Sequence, residues 1–131
     1  MLYSYQNLLA IAVGGMIGAL ARFATSNILQ DWMGPGFAWG TLAVNLAGAF
    51  LIGVGYHLAV DVHVSWPIKF MLITGFLGAF TTFSTFSLEV VEFFRDGKWL
   101  TGVTYILVSN IGGIGMAFAG FRLGHALFAR I

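Results

Sequence analysis

Charged residues in this chain stand at the edges of long apolar runs. Four runs qualify: Met1–Ala21, Trp32–Val60, Phe70–Leu88 and Leu100–Phe121. Each is of the ~20-residue length that crosses a hydrocarbon core as a helix. The pattern predicts four transmembrane helices over 5–29, 38–60, 68–94 and 99–128, with breakers between them at Gly34-Pro35-Gly36, Asp61–Pro67 and Gly97. The third run carries a disturbance. Gly75–Ser87 reads GFLGAFTTFSTFS, with helix-weakening glycines, five hydroxyls and interleaved phenylalanines. An irregular backbone at membrane depth is tolerated only inside protein or beside a water-filled path. The expected interruption lies near Gly75–Thr81.

Composition agrees with the pattern. Of 131 residues, 59% are hydrophobic and only 8% charged, far below the charge of a small soluble domain. The reading is one all-α, four-helix transmembrane domain over 1–131, multi-pass in a lipid bilayer. With no cysteine, disulfides and thiolate metal sites are excluded. The N-terminus lacks the basic region and cleavage site of a signal peptide, so the first helix is expected to be retained.

A net charge of +1 gives no sign of a nucleic-acid partner. The placement of the cations says more. Lys69, Arg122 and Arg130 fall on one side of the membrane, and Arg22, Arg95 and Lys98 on the other. Orientation normally follows an excess of Lys and Arg in cytoplasmic loops. Chance balance is one reading, and insertion in both orientations is the other. Four helices are also too few to hold an internal inverted repeat, so any inverted symmetry requires a second, antiparallel copy.

Each candidate residue has two readings. Gly75 and Gly78 permit tight packing or a break that frees the carbonyls from Gly78 to Thr81; such hard oxygens suit Na⁺. Phe83 and Phe86 share a helix face beside Thr81, Thr82, Ser84, Thr85 and Ser87. Ring edges carry positive charge and could face an anion while hydroxyls donate to it. Alternatively the rings face lipid and the hydroxyls bond back along their own helix. Asn45 is either an anion donor or interhelical glue. Tyr105 and Ser109, four apart, with Asn110, extend a polar track on the fourth span. Arg22 either draws anions into a vestibule or snorkels to the interface. Glu89 is an interfacial charge or a gate. His57, His63 and His125 lie at span ends without metal-ligand spacing, and no pattern of an enzyme site is present.

Three segments, GGMIGALARF (14–23), GTLAVNLAGAFLIG (40–53) and GFLGAFTTFSTFSLE (75–89), together resemble the Fluc (CrcB) family of bacterial fluoride channels. The resemblance implies an antiparallel, dual-topology homodimer in the inner (plasma) membrane, with two fluoride pores lined by both subunits. It implies that Gly78 and Thr81 hold a structural, non-transported Na⁺ through backbone carbonyls. Phe83 and Phe86 match the ring pair facing fluoride, Asn45 the pore asparagine, and Ser84 and Thr85 the hydroxyls beside the rings. Tyr105 and Ser109 match the fourth-span track, and Arg22 matches a vestibular arginine. Passive export follows physically. HF crosses lipid uncharged and dissociates in a more alkaline cytoplasm. The anion is then driven out by an inside-negative potential worth ~2.3 kcal/mol per 100 mV. The competing reading is a small proton-coupled multidrug exporter, which requires an intramembrane acid. The first two apolar runs contain none.

Overall fold

The computed structural model describes residues 3–128, so Arg130 lies outside the described residues. All regular structure among these residues is helical. The elements are α1 (Tyr5–Met33), α2 (Trp39–Val60), α3 (Trp66–Lys69), a π-helical segment (Phe70–Leu77), α4 (Gly78–Phe80), α5 (Phe83–Arg95) and α6 (Trp99–Phe128). Four stretches are long and apolar enough to span a bilayer: Tyr5–Met33, Trp39–Val60, Trp66–Arg95 and Trp99–Phe128. The chain is a multi-pass membrane protein.

α1 outlasts its expected end at residue 29 and runs to Met33. The end is set where the backbone changes hand: Gly34 has φ +90°, a conformation costly for a residue with a Cβ. Gln30 fixes this corner. Its Nε2 donates to the carbonyls of Gly34 and Phe37, and its Oε1 accepts from the Gly40 amide.

Two helix pairs make the bundle. α2 lies along α6, and α1 lies along the π-helical segment and α4. Both pairs meet through glycine. A Cβ added at Gly120 would sit 2.0 Å from the Phe50 carbonyl oxygen, and one at Gly18 would sit 2.2 Å from that of Phe76. Backbones that approach this closely gain dispersion contacts, a main attraction between helices in lipid. Gly75 belongs to the same seam, since its added Cβ would lie 2.7 Å from the Ile11 carbonyl oxygen. It serves packing and sits in helical backbone.

Of the expected interruption at Gly75–Thr81, only its last residue departs from helical backbone. Backbone from Phe70 to Phe80 is helical, with a wide π turn up to Leu77. Only Thr81 and Thr82 are extended, with ψ 157° and 114°.

Candidate functional site

The two threonines part from the helix because their backbone groups find other partners. In a continuous helix the Thr82 amide would donate to Gly78. Here it donates to Asn45 Oδ1 at 2.7 Å, and Asn45 Nδ2 donates to the Thr82 carbonyl at 3.0 Å. One side chain of α2 therefore holds both backbone groups of Thr82. The Thr85 amide, which helical continuity would direct to Thr81, donates to Thr82 Oγ1 at 3.2 Å. Thr82 is thereby the N-cap of α5, a role suited to a hydroxyl. Its own hydroxyl donates to Thr85 Oγ1 at 2.9 Å. Gly78 and Thr81 are consequently among the residues whose carbonyls lose their ordinary helical donors.

Arg22 is bound at this break. Its Nε donates to the Ala79 carbonyl at 3.0 Å, one residue from the end of α4. Gly48 supplies space: an added Cβ would meet Thr81 Cγ2 at 2.1 Å.

Beside the break lies a cleft of ≈ 390 Å³. Asn45, Gly78, Thr81, Phe83, Phe86 and Ser109 all line it. Asn110 lines it too, although its Nδ2 donates to the Ile106 carbonyl of its own helix. Ser109 Oγ is buried without a protein partner. The two phenylalanines differ: Phe83 is 76% exposed and Phe86 only 8%. Their ring centroids are 5.7 Å apart at an interplanar angle of 46°. The cleft lining therefore combines a serine, two amides, two threonines and two rings with aliphatic side chains, and holds no ionic side chain.

Besides Arg22, three candidates stand away from this lining. Ser84 is exposed, within 3.4 Å of Thr82 Oγ1, and Thr85 is occupied by Thr82. Tyr105 is wholly buried, edge-on to Phe86 at 5.1 Å and to Phe37 at 5.2 Å. Its hydroxyl donates to Glu89 Oε2 at 2.6 Å, while Thr41 donates to Glu89 Oε1 at 2.7 Å. The geometry assigns Glu89 two donors from two other helices, a choice that sequence alone left open. Tyr105 supports Phe86 from behind, joining the carboxylate to the ring pair. Sequence reasoning missed Thr82 as the cap and Thr41 as a Glu89 partner. Only the Thr-x-x-Thr spacing hinted at the first.

Comparison with known proteins follows the same lines. Residues 9–121 match the family described as CrcB-like protein, Camphor Resistance (CrcB). A protein of Hydrogenovibrio crunogenus named fluoride-specific ion channel FluC is 44% identical over 123 residues, 93% of each chain. One of the same name from Nitrosococcus oceani is 40% identical over 124 residues, 94% of this chain and 99% of its own. Another from Leptospira interrogans is 45% identical over 120 residues, 88% of this chain and 91% of its own. With matches spanning nearly its whole length, this chain belongs to the CrcB family.

Proposed function

We propose that this protein is a fluoride-selective channel, not an enzyme, and that it passively exports F⁻ across the inner membrane. The observation that carries the reading is the cleft lining: neutral polar groups and aromatic rings among aliphatic side chains, without a fixed charge. Fluoride is small and strongly hydrated. A pore must replace its water with several donors yet bind weakly enough to release it. The free Ser109 hydroxyl, the Asn45 amide and the edges of Phe83 and Phe86 offer contacts of moderate strength. The names of the relatives point to the same ion.

The finer parts of this reading rest on the residues at the break. Hard oxygen donors are what Na⁺ prefers, and the carbonyls of Gly78 and Thr81 are among those deprived of helical donors. These two residues would hold a structural Na⁺. Such an ion supplies fixed positive charge beside an anion path. Asn45 and Thr82 keep the two carbonyls available, and Arg22 keeps the neighbouring Ala79 carbonyl occupied. A single chain offers too few oxygens for the ion, and its cleft leaves Phe83 exposed. An antiparallel second copy, allowed by the balanced charges, would complete both. Ser84 and Thr85 would line the approach, and Arg22 would raise anion concentration near it. Export follows from HF entry and the membrane potential, with no coupled ion.

The test is fluoride efflux from liposomes holding the purified protein, with a K⁺ gradient and valinomycin. Rapid efflux that requires valinomycin, with no matching chloride efflux, is expected. Well-folded protein that releases no fluoride in the presence of Na⁺ would overturn the reading.

A further inference from the structure

The histidines at the span ends are separated in sequence, but two of them meet in space. His57, in the last turn of α2, is 5% exposed. Its Nδ1 is 2.5 Å from Asp61 Oδ2, on the residue capping that helix. Its Nε2 is buried with no partner. A buried polar atom left alone is costly and needs a reason. The ring edge bearing Nε2 faces α6, because a Cβ added at Gly124 would lie 3.0 Å from His57 Cδ2, the atom bonded to Nε2. The next residue of α6 is His125, exposed at the rim. The two imidazole centroids are 5.4 Å apart, with planes inclined by 59°.

We propose that His57 and His125 form a binding site for a borderline transition-metal cation such as Zn²⁺, at the membrane edge shared by the ends of α2 and α6. Two imidazoles on one tetrahedral zinc, with Zn–N near ~2.0–2.1 Å, place their centroids roughly 5 Å apart. The observed separation meets that requirement. The Asp61 carboxylate supplies the usual outer partner: it fixes the Nδ1–H tautomer of His57 and leaves the Nε2 lone pair for the metal. Gly124 supplies the space beside the ring. Among the described residues, no three His, Cys, Asp or Glu side chains form a metal cage. The site is therefore a two-histidine chelate, with its remaining positions open to water at the exposed His125 side. Binding would tie the end of α2 to the end of α6. It is independent of the Na⁺ proposed at the helix break and of fluoride conduction.

The test uses the full-length, untagged protein in detergent, titrated with Zn²⁺ alone by calorimetry, with thermal unfolding as a second readout. Binding of about one Zn²⁺ per chain and a raised unfolding temperature are expected. His57→Gln and His125→Gln should each remove both effects. Asp61→Asn should weaken binding by roughly 10–100-fold. His63→Gln, on the exposed loop after α2, should change neither readout. His125 is exposed, so its variant keeps the test valid even if His57→Gln fails to fold. Absence of Zn²⁺ binding to the parent protein would overturn the proposal. So would binding that survives His125→Gln or is lost with His63→Gln.

Discussion

The α2–α6 pair and the pairing of α1 with the third span use one kind of contact and end differently. In the first, Gly53, Gly120 and Gly124 let backbones touch, and both helices run unbroken. In the second, Gly14, Gly18 and Gly75 do the same, but the helix they hold stops at Phe80. Glycine content is not the cause. α6 remains helical through Gly112, Gly113 and Gly115, whereas the break falls on Thr81 and Thr82. The difference is competition for backbone groups. Asn45 takes both hydrogen-bonding groups of Thr82, and Thr82 takes the amide that would have continued the helix. The unbroken pair walls the cleft through Asn45 and Ser109, and Asn45 is also the amide that holds the interruption open.

The largest expected effect would break both regions at once. Gly18→Val and Gly120→Val each drive a side chain into backbone, and overpacking of this kind costs at least about 1–3 kcal/mol. Neither variant should give a monodisperse protein on size-exclusion chromatography. Asn45→Leu separates the regions. It removes both bonds to Thr82 and leaves part-buried backbone groups unpaired, at about 1–3 kcal/mol. Its unfolding temperature should fall and its fluoride efflux should stop. Thr82→Val removes the α5 cap, worth about 1 kcal/mol, while Thr82→Ser should restore it. A pair of thermal melts distinguishes these. Tyr105→Phe deletes one bond to Glu89, worth about 0.5–1.5 kcal/mol or somewhat more for a charged acceptor, and keeps the ring packed on Phe86. A modest loss of thermal stability is expected.

What could be read from the chain and what could not follows from the range of the interactions. Four helices were legible because uncharged length alone meets the thickness of a bilayer. The contact between Phe83 and Phe86 was legible because helical spacing sets which residues share a face, whereas Tyr105, four residues from Ser109, turns to Glu89 and not to the cleft. The position of the break was legible only at its first residue, Thr81. Gly75 and Gly78 pointed too early, because the deciding partner, Asn45, is 37 residues away from Thr82. Glu89 was ambiguous for the same reason: its donors, Thr41 and Tyr105, come from α2 and α6. Arg22 was expected in a vestibule, and the structure adds its bond to Ala79, on another span. The contact between His57 and His125 likewise depends on how α2 and α6 pack and leaves no spacing motif in the chain.

On this reading conduction runs past the interrupted span, along the cleft it shares with Asn45 of α2 and Ser109 of α6. The most direct measurement compares fluoride efflux from liposomes holding Phe83→Ile/Phe86→Ile with that from Phe118→Ile, an aromatic change on the exposed face of α6. The double variant, purified as well-folded protein, should release fluoride no faster than empty liposomes, while Phe118→Ile should match the parent protein. Undiminished efflux from the double variant would contradict this reading.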